Sequence, residues 1–304
     1  MSAPPVPKFP IDHGYAKLSN GIRLHYAESG KGNEHLVILL HGFPEYWYSW
    51  RHQLPVLGEA YHVVAPDLRG YNLSDKPSRV EDYQVSRLRE DVIALVNYFG
   101  ADRATLVGHD WGAVIAWSVA HRSPERVARL VVLQVPPAAV WQANMSVKQM
   151  LRSWYMLFFQ LPRIPEWAIR RENFASIDRT FKEMVINKSA FSDEEVVRYK
   201  EALKRPGALT ATINYYRANL KRFTSESTYS GERVATGGPI PMPTLFIFGE
   251  KDFAIVPETV RGVDKYVTGP YRELRLPECG HWVQNEAAAV VNKALLKFFQ
   301  STGV

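Results

Sequence analysis

The chain has 304 residues, 46% of them hydrophobic and 22% charged, which is enough to bury a sizeable core and excludes a disordered or low-complexity protein. Its formal net charge of +6 comes from scattered basic residues, Arg170-Arg171 and Lys221-Arg222 being the tightest pairs, so no basic stripe for a nucleic acid is present. A single cysteine, Cys279, excludes an intrachain disulfide and a cysteine zinc cluster, and no metal or other cofactor is implied.

The first ten residues, MSAPPVPKFP, lack the apolar run of a secretory signal, and no window approaches eighteen apolar residues. A cytoplasmic protein without stable membrane insertion is expected. Tyr15–Leu18 and Arg23–Glu28 flank Asn20-Gly21 and predict a hairpin. Short apolar runs bounded by turn residues follow at Leu36–Leu40, His62–Ala65, Ala104–Val107, Arg129–Leu133, Thr244–Phe248 and Tyr271–Leu276, and read as buried strands. Helical patterns at Arg87–Phe99, Gly112–Arg122, Pro257–Tyr266 and Glu286–Phe299 alternate with them, which predicts an α/β fold with a mostly parallel sheet. One region lacks strands. Ser146–Gln160, Glu166–Arg171, Ile177–Ile186, Asp193–Ala202 and Gly207–Lys221 carry helical spacing or helix starts, and Gly237-Gly238-Pro239-Ile240-Pro241 closes the region. Residues 1–135 and 240–304 therefore form one α/β core, and 136–239 an all-helical insertion.

The strand Ala104–Val107 runs into Gly108-His109-Asp110-Trp111-Gly112 and then a helix, a sharp turn whose two glycines remove Cβ contacts and present Asp110 at the carboxyl edge of the sheet. Pro277-Glu278-Cys279-Gly280-His281-Trp282 follows the last strand and puts His281 at the same edge. Phe248-Gly249-Glu250-Lys251-Asp252 follows the strand before it and supplies a carboxylate to orient the imidazole. Near the start of the sheet, Leu39-Leu40-His41-Gly42-Phe43-Pro44 also follows a buried strand.

With these residues the chain resembles the α/β-hydrolase superfamily from about Tyr15 to Phe299. The resemblance implies a nucleophile, acid, histidine order of Asp110, Asp252 and His281. It also implies an oxyanion hole from the backbone N–H groups of Phe43 and Trp111, with His41 bracing the Gly42 to Pro44 loop. Asp67-Leu68-Arg69-Gly70-Tyr71-Asn72-Leu73-Ser74 is shared widely in that superfamily and speaks to fold alone.

An aspartate nucleophile changes the chemistry. With an ordinary pKa of about 3.9 it is already ionised at neutral pH, so the histidine need not activate it. A carboxylate suits displacement at a saturated carbon, giving an ester that His281-activated water then hydrolyses. Epoxides and alkyl halides both fit. An epoxide oxygen needs a proton donor, and the segments Ser153-Trp154-Tyr155-Met156-Leu157-Phe158-Phe159-Gln160 and Ile213-Asn214-Tyr215-Tyr216-Arg217 resemble the two cap-domain tyrosine motifs of epoxide hydrolases, which implies Tyr155 and Tyr216 as the donors, with Tyr215 as the rival of Tyr216.

Haloalkane dehalogenases share Asp-Trp at the elbow but commonly carry Asn where Phe43 stands. The expected function is hydrolysis of lipophilic or aromatic epoxides, with small-molecule epoxide and water as partners and homo-oligomerisation left open. A dehalogenase or a non-catalytic binding protein of the same fold are the alternatives. Phe43, Trp111, Trp154, Phe158 and Trp282 are expected to line the substrate cleft, together with Trp141, Met145, Met156, Phe159 and Trp167. Met150–Pro162 is expected to lie over the active site rather than on a membrane.

Overall fold

The computed structural model describes residues 10–224 and 240–301. The N-terminal residues before Pro10 and the expected boundary residues Gly237, Gly238 and Pro239 lie outside the described set.

Eight strands form one sheet: β1 Asp12–Lys17, β2 Arg23–Ser29, β3 Leu36–Leu40, β4 His62–Pro66, β5 Ala104–His109, β6 Val127–Leu133, β7 Thr244–Gly249 and β8 Tyr271–Leu276. Their spatial order is β1-β2-β4-β3-β5-β6-β7-β8, with β1 and β2 antiparallel to their neighbours and all others parallel. This is the α/β-hydrolase fold expected from the sequence.

Period-two alternation sends the side chains of each central strand to opposite faces. Leu36, Ile38 and Leu40 join Leu95 and Ile115 in one core; Val37 and Leu39 join Trp50, Leu54 and Phe298 in the other. Helices Val85–Tyr98 and Trp111–Arg122 supply the first face, and Ala288–Ser301 the second. Edge strand β8 carries exposed charges, Arg272 and Glu273, which discourage pairing with another sheet.

After β3 the chain moves to β4 on one side and then to β5 on the other, so a crevice opens where the connections part. Leu40 is in register with Gly108, and Gly249 with Leu276. The loops after β3, β5, β6, β7 and β8 therefore leave from adjacent strand ends.

Among the described residues no strand lies between β6 and Ile240. The helices there are Ala138–Ala143, Val147–Arg152, Trp154–Phe158, Ile164–Glu183, Asp193–Lys204 and Ala208–Thr224. Several differ from expectation. Ser146–Gln160 is two short helices with Ser153 at the joint, not one. The two helices expected at Glu166–Arg171 and Ile177–Ile186 are one element, Ile164–Glu183, interrupted by non-helical Arg171, Glu172, Asn173 and Phe174. Pro257–Tyr266 is a pair of 3₁₀ turns, because Arg261 ends the first in an extended conformation and Gly262, at φ +85°, takes the left-handed conformation from which the second starts. Ser192 and Glu195 form the reciprocal capping box that the sequence at 192–195 indicated.

Candidate active site

Asp110 lies between β5 and the helix Trp111–Arg122 with φ +51° and ψ −117°, a conformation costly for a non-glycine residue and held only by tight packing around it. The glycines make that packing attainable. A Cβ on Gly108 would strike the Gly112 carbonyl, one on Gly112 would strike the Leu40 carbonyl, and one on Gly42 would strike the Asp110 side chain.

The Phe43 N–H donates to Asp110 Oδ1 at 2.7 Å, and the Trp111 N–H also bonds this carboxylate. Both expected oxyanion-hole amides thus converge on Asp110. The Phe43–Pro44 peptide is cis. His41 is buried; its Nδ1–H donates to Gly42 O at 3.0 Å while Nε2 accepts from the Leu68 N–H at 3.0 Å, so it is a neutral brace between two loops.

His281 faces Asp110 from β8. Its Nε2 lies 3.9 Å from Asp110 Oδ2, beyond hydrogen-bond length, and its Nδ1 donates to Asp252 Oδ2 at 2.8 Å. Asp252 Oδ1 accepts from the Ala254 and Ile255 amides at 2.6 and 3.0 Å. The three residues expected from the motifs stand together, His281 between Asp110 and Asp252.

Burial raises the Asp110 carboxyl above its ordinary value against the opposing pull of His281 and the two amides. Burial alone would lower the His281 imidazole, but the charge and hydrogen bond of Asp252, followed by Asp110 and Glu45, bring it up to about 9. Asp252 goes the other way: burial pushes it up, and His281 with the two amides hold it below the usual carboxylate range.

Three buried residues without an assigned role support the site. Gln134 ends β6 in a left-handed conformation, φ +70°. Its Nε2 donates to Asp252 Oδ2 at 2.6 Å and to Gly280 O at 2.9 Å, and its Oε1 accepts from the Gly249 N–H at 2.6 Å. It ties the acid to both neighbouring loops. His109 Nδ1 lies 2.8 Å from Glu45 Oε2 and its Nε2 2.9 Å from His281 O, so the ring bridges the Glu45 carboxyl and the loop that carries His281. Glu45 also accepts from the Gly42 N–H and from Gln284 Nε2, both at 2.9 Å, and from the Ser49 hydroxyl; burial alone would raise its carboxyl, but His109, Ser49 and the Gly42 amide bring it down to about 2. The only sequence signal for Glu45 was its place just after Pro44; Gln134 had none.

The inserted helices close the site. Tyr216 is buried in an aromatic cluster with Trp111 at 5.1 Å, Phe43 at 5.7 Å, Tyr155 at 5.8 Å and Phe159 at 4.9 Å, and the Trp111 indole bonds its phenol. Burial raises both phenols, and the Asp110 charge raises them further. Tyr215, one residue earlier, turns away and donates to Arg69 O at 2.7 Å.

Not every expected lining residue reaches the cleft. Trp154, on the short helix Trp154–Phe158, and Trp167, near the start of the helix Ile164–Glu183, are each 62% exposed, and Met145, in the link before the helix Val147–Arg152, is exposed as well. Trp154 instead packs on half-buried Phe158, at 5.8 Å. Trp282 is buried against Phe181, Phe191 and Phe253, with its ring perpendicular to His281 at 5.1 Å, so it backs the base.

A carboxylate at a strand-to-helix elbow, a histidine oriented by a second carboxylate and two roofing phenols are now in one place. Residues 35–288 match the alpha/beta hydrolase fold family. The chain is 37% identical to epoxide hydrolase 3 of Xenopus tropicalis, covering 95% of this chain and 78% of that one. The chain belongs to the epoxide hydrolase family of α/β hydrolases. It is also 36% identical to the AB hydrolase superfamily protein YfhM of Bacillus subtilis, over 93% of this chain and 96% of that one. A solved mutant of a Bacillus megaterium epoxide hydrolase, complexed with its naphthyloxy-propanediol product, superposes with a TM-score of 0.83 at 32% identity, covering 95% of this chain and 100% of that one. No helix among the described residues of this family member is long and apolar enough to cross a membrane.

Proposed function

We propose that this epoxide hydrolase family member converts lipophilic or aromatic epoxides to vicinal diols through a covalent ester on Asp110, with residues 136–239 acting as a cap over the site. Asp110 Oδ2, the oxygen not bound by the Phe43 amide, attacks an epoxide carbon. As the carbon–oxygen bond breaks, Tyr155 or Tyr216 protonates the departing oxygen, which stays attached to the substrate. The alkylated Asp110 is neutral, so His281 loses one of the charges that kept it protonated; it passes its proton to the phenolate, re-forming the phenol, and becomes a base. It takes a proton from water, whose oxygen attacks the Asp110 carboxyl carbon. The resulting oxyanion develops at Oδ1 and is met by the Phe43 and Trp111 N–H groups. Collapse breaks the bond from the carboxyl carbon to the substrate-bearing oxygen, protonated His281 gives its proton to that leaving oxygen, the diol is released, and the regenerated Asp110 carboxyl passes its proton back to His281.

What carries this reading is the pair of phenols, buried Tyr216 and half-buried Tyr155, in one aromatic cluster above a carboxylate nucleophile. A departing halide would call for free N–H donors, whereas the Trp111 indole bonds the Tyr216 phenol and Phe43 brings no side-chain donor. The aromatic surroundings of Phe43, Phe159 and Tyr216 fit an aryl epoxide, the class that the naphthyloxy-propanediol product of the Bacillus megaterium relative points to. Purified protein and an Asp110→Ala variant incubated with a simple aryl epoxide test it. Diol from the parent alone is expected; diol at equal rates from both would place the chemistry elsewhere.

A further inference from the structure

The cap turns an apolar face outward. Nine of the fifteen large apolar side chains exposed among the described residues fall between Met145 and Trp167, in less than a tenth of the chain. Val147, Met150 and Leu151 on one short helix and Trp154 and Leu157 on the next recur at three- and four-residue spacing, and all five are exposed. The usual pattern of a water-facing helix is inverted. Polar Gln149 is fully buried, bonded to Ala254 O at 2.8 Å, the Val256 N–H at 2.9 Å and the Thr259 hydroxyl at 3.0 Å, while Val147 is 73% exposed. An apolar set left in water in this way marks a surface that something covers.

The charge around it says what. Between Met145 and Arg171 the chain carries Lys148, Arg152, Arg163, Arg170 and Arg171 against one acid, Glu166. That acid is buried and paired with Arg217 at 2.7 Å, so it does not offset the surface charge. Lys148, Arg163, Arg170 and Arg171 are exposed, with Arg171 stacked over Trp167 at 5.1 Å; Glu172, just beyond, lies 4.0 Å from Arg171. An isologous contact between two copies would press these cationic rims together. A bilayer with anionic headgroups satisfies both halves of the face, tryptophan and leucine entering the interface and the basic rim meeting the headgroups.

We propose that this cap face, which the sequence placed over the active site and not on a membrane, does both, its outer side docking the enzyme on the surface of anionic membranes. The contact is interfacial, as no helix among the described residues can span a bilayer. The short helix Trp154–Phe158 that turns Trp154 and Leu157 outward also carries Tyr155 inward onto Tyr216. Docking thus sets the lid of the site against the phase in which lipophilic epoxides dissolve. That delivery role rests on the proposed epoxide hydrolysis; the docking does not.

Co-sedimentation of the full-length protein with vesicles of phosphatidylcholine mixed with phosphatidylglycerol, beside vesicles of phosphatidylcholine alone, tests the docking without reference to activity. The mixed vesicles should bind more protein, and added salt should weaken the difference. Leu151→Ser combined with Leu157→Ser should lower partitioning by roughly a hundred-fold, ten-fold for each apolar side chain removed from the interface. Lys148→Glu with Arg163→Glu should abolish the preference for phosphatidylglycerol. Both residues of the first pair are exposed, so circular dichroism and thermal melting should match the parent, and Val290→Ser, on the core, should bind as the parent does. No sedimentation with either vesicle would overturn the proposal. So would binding insensitive to both pairs of changes, or a concentration-dependent dimer that the serine pair disrupts while vesicles capture nothing.

Discussion

The charge on Asp110 adds to that of Asp252 in holding the proton on His281, and removing it should make that proton easier to release. His281 Nε2 lies 3.9 Å from Asp110 Oδ2 in a buried site. At that separation and an effective dielectric constant of about 20, Coulomb's law gives about 4 kcal/mol of mutual attraction, close to a thousand-fold in proton affinity. Asp110→Asn preserves the shape of the side chain and the acceptor for the Phe43 amide while deleting the charge. The assay is a pH titration of the His281 ring by nuclear magnetic resonance on histidine-labelled protein, with the His281→Gln variant assigning the signal. In the parent the ring should hold its proton up to about pH 9. In Asp110→Asn it should release the proton at a concentration roughly a thousand-fold higher, near the conditions under which a base is needed. The variant stands in for the alkylated enzyme, in which the same carboxylate is esterified. Superimposable titrations would refute the idea that ester formation switches His281 from acid to base.

Further outcomes follow from the same geometry. Tyr155→Phe and Tyr216→Phe should each slow alkylation, and together by about 10²- to 10⁴-fold, while leaving ester hydrolysis unchanged; stopped-flow tryptophan fluorescence separates the two steps. Gln134→Leu strands the Gly249 N–H and the Gly280 carbonyl and removes one donor from Asp252, and at about 1–3 kcal/mol for each group it should destabilise the fold by roughly 3–9 kcal/mol in urea denaturation. Stability should also depend on pH through His281. Its folded pKa is raised from 6.5 to about 9, so its contribution of about 3 kcal/mol is complete below pH 6.5 and is lost as the pH rises through 9. Denaturation across that range should show this loss in the parent and a flatter profile in His281→Gln.

The parts of the site legible in the sequence are those carried by short stretches at strand ends. Gly108 to Gly112, Gly249 to Asp252 and Gly280-His281 each combine a buried strand with glycines at the turn, and strand order alone then brings them to one edge. Gln134 was hidden because a glutamine before Val135-Pro136 carries no motif; its role arises from loops more than a hundred residues away. Glu45 was hidden for the same reason, its partners His109 and Gln284 being distant in the chain. Periodicity is ambiguous where both faces of a helix are apolar. The stretch from Val147 to Phe159 is apolar on each side, so Trp154 could be assigned inward from the sequence and lies outward in the fold, whereas Tyr155 packs on Tyr216. The adjacent Tyr215 and Tyr216 differ only in the direction set by their helix, and the Arg69 carbonyl that holds Tyr215 belongs to the core.

The covalent ester is the centre of the proposed mechanism, and the fate of the water oxygen reports on it. A single turnover with enzyme in excess, run in heavy-oxygen water on an aryl epoxide, should leave the label in the Asp110 carboxylate, read by mass spectrometry of the peptide containing it, and yield an unlabelled diol. Label in the diol with none in Asp110 would mean that water attacks the epoxide directly and would contradict the account.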